Sequence, residues 1–227
     1  MFHHGESPAD LGSVAPDTNV LKRAAKRGVD IALSAFLLVL TAPLMALIAL
    51  MIYLRDGDEV IYPHERIGQN GVPFPCYKFR TMVKDADIRL EALLASDPGA
   101  RREWDECRKL QSDPRILQGV GHVLRSSSLD ELPQLWNVLR GDMSLVGPRP
   151  VVKTELEVYY GAAAGLYASV RPGITGPWQV GDRSDGTYES RVRDDTAYVR
   201  NWTLTNDLAI ILKTAGIVLR GRSPGAY

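Results

Sequence analysis

The longest apolar stretch of the chain predicts a membrane segment. The run Ile31–Leu54 carries no charged side chain, and it is longer than the about 20 apolar residues that a helix needs to cross a bilayer core. A basic cluster stands directly before it, at Lys22, Arg23, Lys26 and Arg27. Because basic flanks stay on the cytoplasmic side of a membrane, we expect this cluster to face the cytoplasm.

Pro43 lies midway in this run, and it leaves open whether the segment crosses the membrane, turns back within it or packs in a core. A proline removes one main-chain donor and clashes with the carbonyl one turn back, so the helix kinks or breaks there. Thr41 could donate a hydrogen bond to a freed carbonyl. Two half-helices would each reach about 18 Å, roughly half of the bilayer. The residues alone therefore allow a re-entrant hairpin over 21–55 broken at Pro43, a kinked spanning helix, or a buried core helix.

The rest of the chain, residues 56–227, predicts a helix-rich α+β domain with short strands. Turn residues at Gln69–Gly71 between short apolar stretches predict a hairpin. The alternation in Tyr77–Met82 predicts a strand that places Lys78 and Arg80 on one face. Two cations on one face suit an anion site, although charges that guard an exposed sheet edge would give the same pattern.

Helical segments follow this strand. Asp85–Leu110 has a helical pattern that is interrupted at Asp97–Gly99, and Ser190–Asn201 predicts a second charged helix. The segment Asp207–Leu219 is strongly apolar with Lys213 within it. It could lie along a membrane interface or form a core helix.

Composition excludes several classes of protein. Lys and Arg together number 27, as do Asp and Glu, whereas a nucleic-acid-binding protein would usually show a basic excess. The two cysteines are too few for a disulfide framework, and zinc-ligand spacing is absent. Residues 1–20 are polar and predict a flexible tail, in which His3 and His4 are solvated.

Asp130 and Glu131 are the candidate catalytic residues. Ser128 and Glu131 have the spacing of a capping box, but Pro133 would then break a required main-chain hydrogen bond. With Asp130 as the N-cap, Pro133 falls where the amide has no partner in any case. We therefore expect Asp130 to open a helix whose terminus keeps it ionised and attracts phosphate. It could serve as a nucleophile or only as a cap, and Glu131 could hold a metal or a proton.

Two loops stiffened by proline supply candidate ligands. Arg149 stands between two prolines, so its guanidinium is presented to phosphate from a rigid backbone. Asp142 is a possible metal ligand or a turn residue. The segment Arg171–Val180 offers Arg171, Thr175 and Gln179 to a ligand.

Five motifs in order resemble the bacterial sugar transferase family, the monotopic polyprenyl-phosphate phosphoglycosyl transferases. The resemblance runs from about Lys22 to Arg220 and rests on Lys78–Met82 (KFRTM), Asp113–Arg115 (DPR), Ser128–Leu135 (SLDELPQL), Asn137–Pro150 (NVLRGDMSLVGPRP) and Arg171–Gly176 (RPGITG). It adds Arg115 to the candidate phosphate-binding residues. The segments Thr175–Val180 and Tyr198–Leu204 are similar to members that transfer galactose or glucose phosphate.

The resemblance implies a reaction. The residue matching Asp130 attacks the β-phosphate of a UDP-sugar with Mg²⁺ bound, which releases UMP and leaves a covalent sugar phosphate. Undecaprenyl phosphate then accepts the sugar phosphate. Glu131 assists through the metal or a proton, and Arg149 grips phosphate or nucleotide. With Asp142, which the residues alone suggested, Asp130 and Glu131 are the candidate metal ligands.

The resemblance also implies a place in the cell. The protein would be monotopic in the bacterial inner membrane, with a re-entrant helix, interfacial amphipathic helices and a catalytic domain facing the cytosol. Ala42-Pro43 stands where the family has Ser-Pro. We expect the catalytic unit alone, of the short type that begins exopolysaccharide synthesis. The exposed helices, rather than the resemblance, suggest a homodimer. The competing hypotheses are a glycosyl transferase that releases UDP and a non-catalytic membrane scaffold.

Overall fold

The computed structural model describes residues 20–57, 59–107, 110, 113–181 and 187–220. The predicted tail, up to residue 19, lies outside the described residues. In chain order the elements are α1 (Val20–Asp56), β1 (Ile61–Ile67), β2 (Pro73–Phe79), α2 (Ala86–Ser96), α3 (Pro98–Cys107), α4 (Val120–Ser127), α5 (Gln134–Arg140), β3 (Ser144–Val146), α6 (Lys153–Glu155), α7 (Ala164–Ala168), β4 (Gly173–Thr175), α8 (Pro177–Val180), α9 (Tyr188–Arg200) and α10 (Leu204–Leu219). This confirms a helix-rich chain with small sheets.

Helix α1 is continuous through Pro43, so the two predicted half-helices are one helix of 37 residues. A proline removes a single main-chain donor, and packing on both sides of it can hold the helix together. Thr41 Oγ1 donates to the Leu37 carbonyl at 2.7 Å, not to the carbonyl of Val39 that Pro43 leaves without its usual donor. Among the described residues, α1 is the one helix long and apolar enough to cross a membrane.

One face of α1 lies against the rest of the protein along most of its length. The half-buried and buried side chains recur every three or four residues, at Asp30, Leu33, Ser34, Leu37, Leu38, Thr41, Met45, Ile48, Ala49 and Ile52. The opposite face is apolar and exposed, with Phe36 at 61% and Val39 at 77% exposure. The protein therefore covers a largely apolar face that also carries Asp30, Ser34 and Thr41, and it leaves the opposite apolar face exposed.

The two halves of α1 pack against two different apolar clusters. Leu33, Leu37 and Leu38 contact the cluster formed by β2, β3, α5, α9 and α10. Ile48 and Ile52 are buried in a second cluster, with Phe79 and residues of α4.

Strands β1 and β2 pair antiparallel, with Ile61 opposite Phe79 and Ile67 opposite Pro73. Their connection at Gln69–Gly71 is a tight turn in which Asn70 has a φ of 59°. The predicted hairpin is therefore confirmed.

The predicted interruption between α2 and α3 is also confirmed, because Asp97 Oδ1 accepts from the amides of Gly99 and Ala100 and so starts α3.

A second sheet joins two of the sequence motifs. Strands β3 and β4 pair parallel, with Ser144 opposite Gly173 and Val146 opposite Thr175. Gly147 lies so close to the other strand that a Cβ on it would be 2.6 Å from the Arg171 carbonyl oxygen and 2.9 Å from the Gly173 nitrogen. A side chain at Gly147 would thus separate the segment that carries Arg149 from the one that begins at Arg171.

Candidate active site

The acidic pair lies in a tight turn between α4 and α5. Ser128 ends α4 in the left-handed region, with a φ of 59°. Leu129–Glu131 then form a 3₁₀ turn, and α5 begins only at Gln134. The prediction that Asp130 opens the helix is wrong. The left-handed residue folds the chain directly into the 3₁₀ turn. Pro133 then stands directly before Gln134, where the missing N–H of the proline breaks no helical hydrogen bond.

Glu131 binds two cations that come from distant parts of the chain. Its Oε1 accepts from Lys78 Nζ of β2 at 2.8 Å and from Arg149 Nη2 at 3.1 Å. The Glu131 side chain is only 12% exposed, so these charge-assisted hydrogen bonds are shielded from water. The structure thus brings together three of the residues that the sequence predicted.

Asp130 has an unusual protonation equilibrium. Burial, followed by the neighbouring Glu131 carboxylate, raises the pKa of Asp130 to about 6, although Lys78, Arg125 and Arg149 act to lower it. This corrects the expectation that a helix terminus keeps the group ionised, because the turn supplies no such terminus and burial is the largest effect. At neutral pH Asp130 is still mainly ionised, in a poorly hydrated setting among cations.

Arg125 also belongs to this site, although no sequence motif pointed to it. It lies in the last turn of α4, close enough to Asp130 to lower the pKa of that carboxyl. The signal in the sequence that could have indicated Arg125 is its position five residues before Asp130, in a short helical segment. Three cations therefore surround the acidic pair.

Arg149 is held from both ends. Arg191 Nη2 donates to the Arg149 main-chain carbonyl at 3.1 Å, and the Glu131 carboxylate raises the pKa of the Arg149 guanidinium. The flanking Pro148 and Pro150 restrict the backbone. Both the main chain and the side chain of Arg149 thus have partners, and its role in binding phosphate stays a prediction.

The other predicted phosphate ligands lie in different surroundings. Arg115 makes a bidentate pair with Asp113, at 2.8 and 2.6 Å, and its guanidinium lies over the Trp104 ring. Arg80 follows β2 and is buried, and its amide donates to the Val60 carbonyl.

The three candidates of the loop around β4 are engaged elsewhere. Arg171 Nε donates to the Gly141 carbonyl at 2.7 Å, at the end of α5 opposite to the acidic pair. Thr175 is buried and bonds Thr214 of α10 at 2.7 Å. Gln179 is buried, and its Nε2 donates to the Ile174 carbonyl. A role for them in substrate binding stays a prediction.

The predicted metal ligands do not form one cluster. Within the described ranges, no group of three or more His, Cys, Asp or Glu side chains is placed to hold a metal. Asp142 accepts from Asn137 Nδ2 at 3.1 Å and lies beside Arg140, just after the C-terminus of α5. Asp130 and Glu131 remain as adjacent carboxylates that repel each other. Such a pair fits Mg²⁺, which proteins often hold with one or two carboxylates together with substrate phosphates.

The chain belongs to the bacterial sugar transferase family, whose sequence profile matches residues 21–221. It is 51% identical over 212 residues to the undecaprenyl-phosphate galactose phosphotransferase of Salmonella typhimurium, covering 92% of this chain and 44% of that protein. It is 48% identical over 220 residues to the exopolysaccharide production protein ExoY of Rhizobium meliloti, covering 97% and 94%. It is 38% identical to the UDP-glucose:undecaprenyl-phosphate glucose-1-phosphate transferase of Caulobacter vibrioides over 94% of this chain and 80% of that protein.

The chain thus spans less than half of the length of the Salmonella relative, and nearly the whole length of the Rhizobium relative. The family assignment agrees with the resemblance inferred from the five motifs.

Proposed function

We propose that the protein transfers a hexose 1-phosphate from a UDP-hexose to undecaprenyl phosphate and releases UMP, as the first membrane step of exopolysaccharide synthesis. The observation that carries the proposal is the partly desolvated Asp130 beside Glu131, surrounded by Lys78, Arg125 and Arg149. A diphosphate donor would bring negative charge that these cations can balance. The names of the Salmonella, Rhizobium and Caulobacter relatives support the same reaction and pathway.

The chemistry proposed for Asp130 is nucleophilic catalysis. Its ionised carboxylate attacks the β-phosphorus, so an oxygen–phosphorus bond to Asp130 forms and the bond from that phosphorus to the bridging oxygen breaks. UMP leaves with the electron pair. A phosphate oxygen of the lipid then attacks the same phosphorus and releases Asp130 as a carboxylate. Mg²⁺ held by Asp130, Glu131 and the donor would neutralise part of the diphosphate charge.

The cations have separate tasks in this proposal. Arg149 is held rigidly by its prolines and Arg191, so it suits bidentate binding of a phosphate. Lys78 and Arg125 lower the pKa of Asp130, which keeps the nucleophile ionised in a buried place. Glu131 fixes Lys78 and Arg149 next to the nucleophile through one shared oxygen.

The donor sugar is proposed to be galactose or glucose. One relative is named for galactose and another for glucose. A panel of UDP-hexoses with release of UMP as the readout would identify the donor.

We infer a monotopic arrangement in the cytoplasmic membrane, with the catalytic domain in the cytosol. The support is that both halves of α1 pack on the same folded domain, Lys26 near one end and Ile52 near the other. A straight spanning helix could not keep both ends against a domain on one side of the membrane. A bend at Pro43 would let the exposed face, including Val39 and Leu40, enter the lipid while both ends stay at one surface.

The reaction is tested by incubating the full chain with a UDP-hexose alone. A covalent route predicts an intact-mass increase equal to one hexose phosphate, release of UMP, and no increase for Asp130→Asn. Release of UDP instead of UMP would show a glycosyl transferase. An unshifted mass in a preparation that turns over with lipid present would argue against the covalent step.

Topology is tested in intact cells with a membrane-impermeant maleimide. Val20→Cys and Glu59→Cys place thiols at exposed positions on the two sides of the apolar run. The variants are made in a Cys107→Ser background, since Cys76 is buried. Labelling of both positions only after permeabilisation is expected. Labelling of one position from outside would refute the monotopic arrangement.

A further inference from the structure

A cavity of about 100 Å³ lies between the first turns of α1 and the segment that leads into β4. Its lining contains four cationic side chains, Arg23, Lys26, Arg27 and Arg171, and one carboxylate, Asp30. The cavity lies at the C-terminal end of α5, whereas Asp130 precedes the N-terminus of that helix. It is therefore a separate site from the acidic pair.

Two of these cations converge on the end of α5. Arg27 donates to the Val138 carbonyl at 2.7 Å and to the Leu139 carbonyl at 3.0 Å, while Arg171 donates to Gly141. The C-terminus of a helix attracts positive charge, but it carries only about half of a unit charge. It cannot by itself balance two guanidinium groups.

Two carboxylates offset part of this positive charge. Asp30 is buried, accepts from the Leu145 amide at 3.1 Å and acts to raise the pKa of Arg171, and Asp207 pairs with Lys26. Four cations therefore face two carboxylates. Arg27 and Arg171 thus repel each other. In agreement, burial and then the neighbouring Arg27 lower the pKa of Arg171, and the opposing effect of Asp30 is smaller. An anion in the cavity would remove this repulsion.

The surroundings of the cavity have the residue types of a membrane interface. Val20 and Leu21 at the start of α1 are exposed apolar residues, at 79% and 78%. On α10, Leu208 and Leu212 are also exposed. The lining includes Trp202, whose ring lies 5.9 Å from Lys26 Nζ. A tryptophan and basic residues between exposed apolar groups are typical of a membrane interface.

We propose that this cavity binds the phosphate of an anionic phospholipid headgroup, held by the guanidinium groups of Arg23, Arg27 and Arg171. Guanidinium groups match the geometry of phosphate oxygens and bind them bidentately. A bound headgroup would fix the depth at which α1 enters the membrane. The proposal rests on the monotopic arrangement inferred above but not on the chemistry of Asp130.

The test is a titration of the full chain, purified in a neutral detergent, with the melting temperature as the readout. Dioctanoyl phosphatidylglycerol is expected to raise the melting temperature, and dioctanoyl phosphatidylcholine to have a much weaker effect because its choline adds a positive charge. Inorganic phosphate and farnesyl phosphate are titrated in parallel. Because the site at Asp130 could bind either phosphate, each effect is assigned to the cavity only if Arg23→Gln weakens it. An equal Arg23-dependent effect of inorganic phosphate would assign the cavity to a free anion, and a stronger Arg23-dependent effect of farnesyl phosphate would assign it to the acceptor lipid. Either result would overturn the phospholipid assignment.

Substitutions distinguish a specific binding site from a non-specific effect of surface charge. Arg171→Gln and Arg23→Gln should each weaken the apparent affinity for phosphatidylglycerol about tenfold, the loss typical of one charge-assisted hydrogen bond. Arg23 lies on the exposed first turn of α1, so its variant remains informative if Arg171→Gln misfolds. Arg55→Gln is the matched control, since it removes one charge from the other end of the same helix. An equal loss in Arg55→Gln would overturn the proposal, as would unchanged affinity in Arg23→Gln. If the wild-type protein turns over its substrates but does not bind phosphatidylglycerol, the lipid proposal fails while the proposed reaction stands.

Discussion

Arg149 donates a hydrogen bond to Glu131 Oε1 across 3.1 Å, and Lys78 donates to the same oxygen. One carboxylate oxygen therefore joins the first hairpin, the turn of the acidic pair and the segment after β3. Asp130 stands next to this junction, and its protonation depends on all three charges. The reactivity of the site should respond to each of them in a definite direction.

The first prediction concerns pH. The ionised form of Asp130 is the proposed nucleophile, and its pKa is about 6. The value of kcat/KM for the donor should therefore be constant above about pH 7 and fall tenfold per pH unit well below 6. Because Glu131 and Asp130 interact, the apparent pKa belongs to the pair. A rate of UMP release that stays flat down to pH 4.5, with the protein folded, would contradict this prediction.

The second prediction concerns Lys78. Its ammonium group lowers the pKa of Asp130, so Lys78→Met should move the acid limb of the pH profile to higher pH. The rate at neutral pH should fall as well, since fewer molecules carry the ionised aspartate. Lys153→Met is the control, because the Lys153 side chain is 77% exposed. An acid limb that moves to lower pH in Lys78→Met would contradict the predicted direction of the effect of Lys78 on the pKa of Asp130.

The third prediction concerns the contact between β3 and β4. Gly147→Ala would place a methyl group 2.6 Å from the Arg171 carbonyl oxygen, and main-chain atoms cannot move away easily. We expect a loss of about 1–3 kcal/mol in the free energy of unfolding, and a lower affinity for the donor because Arg149 is displaced.

A matched glycine provides the control for this substitution. Gly165 lies in α7, and a Cβ there would meet no atom within 4 Å. Gly165→Ala should be neutral or stabilise the protein by up to about 1 kcal/mol. Both variants are compared by urea unfolding in the same detergent. Equal midpoints for Gly147→Ala and the wild type would remove the argument that this glycine sets the geometry of Arg149.

Local patterns predicted the elements well. The uncharged run gave α1, the turn residues at Gln69–Gly71 gave the hairpin, and Asp97 marked the break between α2 and α3. Each of these features depends on residues that are close in sequence. The exception is Pro43, where the helix continues because both halves of α1 are packed against distant residues.

The candidate site could be predicted only in part, because some of its contacts join residues that are distant in sequence. Acidic and basic residues in unusual backbone settings pointed to Asp130, Glu131 and Arg149. The pairing of Lys78 with Glu131 joins residues 53 positions apart, which no local rule predicts. Capping rules also misplaced the start of α5, because they cannot anticipate that Ser128 takes a left-handed conformation.

The last prediction concerns the attachment of α1 to the domain. Asp207 of α10 accepts from Lys26 of α1, from Tyr198 at 2.8 Å and from Trp202 at 2.9 Å. Its side chain is 4% exposed, so Asp207→Asn leaves a poorly hydrated ammonium group without its charge partner. A loss of about 3 kcal/mol in the free energy of unfolding is expected. Asp194→Asn is the control, since Asp194 pairs with Arg193 on the surface and its loss should cost less than about 1 kcal/mol. Urea unfolding monitored by tryptophan fluorescence compares the two, and equal midpoints would mean that the Lys26–Asp207 pair does not stabilise the packing of α1 on α10.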